Sequence, residues 1–150
     1  MNPFRELFKI FKEAVDPYSV TKLNDAIAEG KTEKALSIIP HCTDLDNKNG
    51  KISPLTYSII HKNKIVINSL LDAGASPNRI KSLSCLRPIE LAVLHQLPET
   101  VTYLVEKGAK VTTLAIEDAK DRCPEIIPYL KEQKKSQERS CGKSEIKNNF

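Results

Sequence analysis

Residues 53–78, SPLTYSIIHKNKIVINSLLDAGASPN, decide how the rest of the chain is read. They predict a Pro-led turn, a short helix, a tight reversal, a longer helix and a Gly-led loop. Pro54 stands where a helix begins, a position at which its missing N–H costs nothing. Leu55, Ser58 and Ile59 recur at helical spacing, Asn63 and Lys64 interrupt them, and Val66, Ile67, Leu70 and Leu71 open a second apolar stripe. Gly74 follows the last apolar pair, where a left-handed cap suits a residue without Cβ. A helix pair with apolar groups on more than one face cannot bury them alone. It needs neighbours.

The neighbours stand in the same chain. A shift of 34 residues carries Pro54 onto Pro88, and the pattern returns as RPIELAVLHQLPETVTYLVEKGAKVT. Gly74 falls on Gly108, Ala75 on Ala109, Leu70 on Leu104, Ser58 on Ala92 and Ile59 on Val93, without a gap. A fixed period in the thirties marks stacked repeats. On these residues the sequence resembles the ankyrin repeat. The family's opening Thr-Pro-Leu-His-x-Ala-Ala is echoed by residues 53–59, and its closing Gly-Ala-Asp-x-Asn by Gly74-Ala75-Ser76-Pro77-Asn78. The resemblance implies an all-α ankyrin-repeat solenoid, with stacked helix-turn-helix units joined by hairpin fingers.

The expected organisation is an amphipathic N-terminal capping helix within 1–19, a repeat domain over 20–131 and a basic polar tail over 132–150. The repeats are expected at about 20–52, 53–86, 87–112 and 113–131. In residues 2–15, Phe4, Leu7, Phe8, Phe11, Ala14 and Val15 share one side, and charged groups hold most of the other. A cap on the first repeat is preferred. A partner-binding or membrane-surface helix is the alternative reading. The first repeat is degraded: Gly30 ends its first helix, Pro40 stops the second, and Cys42 replaces the usual loop Gly. Asn47-Lys48-Asn49-Gly50-Lys51 predicts a finger tip.

In the middle repeats Lys62 and Gln96 replace a common Gly, so blunter helix ends are expected there. Thr56 and Glu90 replace the family's His, so the hydrogen bonding of the opening turn must differ. The fourth unit lacks about one finger. Pro128 is awkward there, costing up to ~3 kcal/mol inside a helix, unless that helix starts late. Residues 132–150 hold only Ile146 and Phe150 as large apolar groups, so a mobile tail is expected, with 132 to about 139 able to extend the last helix.

Composition bounds function. At 150 residues, one domain burying about two-thirds of its chain surface is the default. No apolar run approaches the roughly 20 residues of a membrane span, so stable membrane insertion is not expected. Charged residues throughout the first 20 positions interrupt any signal-peptide core. Cys42, Cys85, Cys123 and Cys141 lie 43, 38 and 18 residues apart, too far for a zinc or redox motif. Free thiols and a cytoplasmic location are expected. The formal charge is +4, but residues 131–150 hold six basic and three acidic groups, leaving no basic face on the body to bind nucleic acid.

Catalytic and cofactor chemistry is not expected. The five glycines are isolated, so no phosphate-cradling loop forms. His61 and His95 hold equivalent repeat positions on helices roughly 8–10 Å apart. A shared zinc would need nitrogens at about 2.1 Å and a completing ligand, which the sequence does not supply. Asp25, Glu90, Glu117 and Asp118 are scattered over different units.

The resemblance implies recognition of a protein or peptide in a concave groove lined by fingers and first helices. Tyr57, Ile60, Leu91 and Leu94 are the expected apolar strip, rimmed by Asp25, Lys62, Arg87 and Glu90, with Arg79 and Lys81 on a finger. Tyr57 and Leu91 could instead pack between neighbouring helices. The function expected is a non-catalytic protein–protein interaction module, acting as a monomeric adaptor, inhibitor or targeting factor. A second reading makes the repeats a carrier, with the N-terminal helix or basic tail as the docking or export element. Short ankyrin proteins delivered into host cytoplasm by intracellular bacteria look similar.

Overall fold

The computed structural model describes residues 19–48, 52–80 and 85–145. The expected N-terminal helix at 2–15 lies outside them, as do residues 49–51 of the finger tip expected at 47–51 and Lys81. The described residues form eight α-helices and no strand. These are α1 (Val20–Ala28), α2 (Thr32–Ile38), α3 (Pro54–Ile60), α4 (Lys64–Asp72), α5 (Pro88–Leu94), α6 (Pro98–Glu106), α7 (Thr113–Arg122) and α8 (Ile127–Glu145). Short 3-10 turns cover Ile39–His41 and Pro124–Ile126.

The helices pack as consecutive pairs: α1 with α2, α3 with α4, α5 with α6 and α7 with α8. The first members also pack in series, α1 on α3, α3 on α5 and α5 on α7. The second members do the same, α2 on α4 and α4 on α6. One apolar core runs through the row, with Leu23, Ile27, Leu55, Ile59, Ile67, Leu70, Ile89, Leu104 and Leu130 fully buried. Each pair therefore buries its second apolar face against the next pair, as the sequence pattern requires.

Local chemistry sets the helix ends. α3 and α4 begin 34 residues before α5 and α6, and each partner in the comparison has the same length. Gly74 and Gly108 share φ +95°, and their N–H groups donate to Leu71 and Val105 carbonyls at 3.2 and 3.0 Å. The short reversals inside the pairs are as sharply turned as a glycine would make them. Lys62 and Gln96 adopt φ +54° and +57°, against +69° at Gly30. This corrects the expectation of blunter ends. The backbone hydrogen bonds across the reversal, Asn63 N–H to Ser58 and Leu97 N–H to Ala92, both 2.9 Å, hold the left-handed residue in place. In the first unit Cys42 stays at φ −73°, and the chain leaves through the 3-10 turn around Pro40 instead.

The C-terminal segment also departs from expectation. Residues 132–145 are helical, part of α8, so the last helix runs past the expected limit of about 139. Pro128 is the second residue of that helix, after a 3-10 turn, where no intrahelical N–H bond is lost. Ile126 and Leu130 are buried, whereas residues 131–141 lie at the surface or half-buried.

Candidate functional site

The candidate site is the inner side of the row of first helices. Its starts are built differently in the two middle units. Ser53 Oγ accepts the Thr56 N–H at 3.2 Å and lies 3.0 Å from Thr56 Oγ1. At the equivalent start of α5, Glu90 Oε2 accepts the Arg87 N–H at 2.8 Å. Its Oε1 accepts the hydroxyl of Thr112, the N-cap of α7, also at 2.8 Å. Glu90 is thus 6% exposed and joins two helix starts, which corrects its expected place on a groove rim. Leu91, 4% exposed, packs between helices and offers no face to a partner.

The remaining predicted residues do reach the surface. Ile60 is 42% exposed, and its equivalent Leu94 is half-buried. Tyr57 is half-buried and stacks on His61, ring centroids 6.3 Å apart and planes 14° from parallel. Asp25, within α1, and Lys62, in the reversal after α3, are both exposed. Arg87 is half-buried, its guanidinium donating to the Asn78 carbonyl at 3.4 Å. Arg79 lies 3.9 Å from the Asp46 carboxylate, which ties it to the preceding unit. Tyr57, Ile60, Lys62 and Leu94 thus keep surface open, whereas Arg79, Arg87 and Glu90 bond to other segments of the chain.

One group beside these residues escaped sequence reasoning. Arg122, at the end of α7, reaches back to donate to the Leu94 carbonyl at 3.3 Å. It satisfies one of the acceptors a helix end leaves open. Burial, followed by the positive charges of Lys62 and Arg122, holds the His95 imidazole below its ordinary pKa. The fourth unit's altered spacing hid Arg122, because no residue in the earlier repeats predicts it.

The loops between units form a ladder of side-chain to backbone bonds. Asp46 Oδ1 accepts the Ser76 N–H at 2.8 Å, and one unit on Asn78 Oδ1 accepts the Lys110 N–H at 2.7 Å. Asn78 also donates to the Gly108 carbonyl at 2.9 Å, which the acceptor-only Asp46 has no proton to do. The following groups of that loop are taken from α8. Gln137 accepts the Val111 N–H at 3.0 Å and donates to the Ala109 carbonyl at 2.9 Å. Lys134 Nζ donates to Thr113 Oγ1 at 2.6 Å beside them.

Between second helices, Asp72 accepts the Tyr103 hydroxyl at 2.5 Å and pairs with Lys107 at 2.7 Å. Those bonds hold the Asp72 carboxyl below its ordinary range. Lys64 pairs with Glu99 on the same side. Among the described residues no three His, Cys, Asp or Glu side chains are grouped as metal ligands. No described helix is long and apolar enough to cross a membrane. No family model matches the chain, and no curated protein or solved structure is significantly similar to it.

Proposed function

We propose that the chain is a short ankyrin-repeat solenoid and works as a non-catalytic interaction module in a cytoplasm, holding a protein segment along the inner side of its first helices. The observation that carries this reading is the 34-residue equivalence of α3–α4 with α5–α6, down to matching left-handed residues at Lys62 and Gln96 and at Gly74 and Gly108. Serial packing of first on first and second on second helices supports the same reading, since stacked repeats contact only their neighbours. Ile60 is exposed beside half-buried Leu94, and aromatic and apolar anchors edged by charge are the usual anatomy of a protein interface.

The test is capture of partners from a host cytosol by the full chain and by the double variant Ile60→Asp, Leu94→Asp. A partner lost by the variant, with its helical circular dichroism intact, supports the groove. Capture unchanged by the double variant moves the site elsewhere.

A further inference from the structure

The inner side carries a charge pattern that narrows what can lie on it. Ile60 and Leu94 end consecutive first helices that pack on each other, so their side chains make two steps of one apolar strip. Lys62 follows the first step, His95 the second, and Arg122 is bonded to the carbonyl of Leu94 itself. That bond occupies one of five guanidinium donors, and the Arg122 side chain is otherwise exposed. Among the described residues, no carboxylate lies within ion-pair distance of Lys62 or Arg122. The nearest unit's Glu29 is already held by Lys31 at 2.7 Å, and Asp25 stands a helix away on α1.

Resting on the groove reading above, we propose that this strip takes an acidic amphipathic segment of a partner protein. Its apolar side chains lie on Ile60 and Leu94 and its carboxylates at Lys62 and Arg122, on either side of His95. A basic segment would set its cations against Lys62 and Arg122, neither of which is ion-paired to a carboxylate among the described residues. Like-charge contact of that kind suppresses wrong partners. Burial first, and then the nearby charges of Lys62 and Arg122, hold the His95 imidazole below its ordinary pKa, which places both cations close to it. A nucleic-acid strand would meet the cations but leave Ile60 and Leu94 without apolar contact, so a peptide is the better fit.

The experiment uses the full chain and two synthetic peptides of about 16 residues with leucines at helical i, i+3, i+4 and i+7 spacing. The other positions are Glu in one peptide and Lys in the other, and a thymidine oligonucleotide of similar length is a third probe. Binding is read by fluorescence anisotropy at low salt, and its place by methyl resonances of Ile60 and Leu94. The expected result is that the Glu peptide binds about tenfold more tightly than the Lys peptide and shifts both methyl sets. Lys62→Glu with Arg122→Glu should reverse that preference. Equal binding of the two peptides, tighter binding of the Lys peptide or the oligonucleotide, or unshifted methyls with the Glu peptide overturns the proposal. Ile60→Asp with Leu94→Asp separates the two levels: if it weakens both peptides equally while the Glu preference is absent, the groove stands and its acidic occupant does not.

Discussion

At Glu90 a carboxylate sits almost out of water with both oxygens occupied, one by a backbone N–H of its own helix start and one by a hydroxyl of the next. Truncation leaves those donors without an acceptor in a buried setting. Glu90→Ala should therefore cost about 2–3 kcal/mol in urea denaturation, whereas Glu90→Gln, which keeps an acceptor toward Arg87, should cost clearly less. Gln96 is the opposite kind of residue, exposed but held at φ +57°. A side chain with Cβ is disfavoured there, so Gln96→Gly should raise stability by about 0.5–1 kcal/mol by the same measurement. His95 sets a pH dependence. Its folded-state pKa is depressed, so the unfolded chain binds the extra proton first as the medium acidifies. Stability should be level above the ordinary imidazole value of about 6.5 and fall as pH drops from there through the folded value. Replacing His95 by Gln should flatten that part of the curve.

At the scale of elements, α8 depends on polar contacts once Leu130 is passed. Among the described residues of its outer part, Gln137 and Lys134 make the bonds to the preceding loop. Gln137→Ala should accelerate hydrogen exchange at the Val111 amide and along residues 131–141, while amides of α3–α6 stay protected. How much of this could be read in advance depends on the element. Pro54 and Pro88 begin their helices where the repeat alignment puts them, because an N-terminal Pro and a 34-residue period are local, recurring signals. The outer turns of α8 have no apolar period, so only an extension to about 139 was legible, and Gln137 lies 26 residues from the loop it binds, so the contact leaves no pattern in the sequence. Glu90 misled for a similar reason. A charged side chain at a helix start reads as solvent-facing until the threonine of the next unit is placed beside it.

For the whole molecule, stability is expected to be carried by interfaces between consecutive units. Leu104 is fully buried in the second-helix layer, where α6 packs on α5 and α4. Leu104→Ala should cost about 2–5 kcal/mol, with the range set by how far the surrounding chain can close the gap. The candidate surface was legible only in part: Ile60 is exposed and Leu94 half-buried, whereas Leu91 takes the alternative reading and packs between helices. Residues 88–93 of α5 are all buried, so the helix is covered on every side except at its end, and Leu91 falls within the covered part.

The two amides flanking Gly108–Val111 have a consequence for assembly. Asn78 bonds the main chain of Gly108 and Lys110, and Gln137 that of Ala109 and Val111, one from each side of this short run. A molecule offering this end to a copy of itself thus has little unbonded main chain with which to join. Shorten the protein behind Leu130 and one side opens. Light scattering should then report particles that grow with concentration, while the intact chain keeps one size.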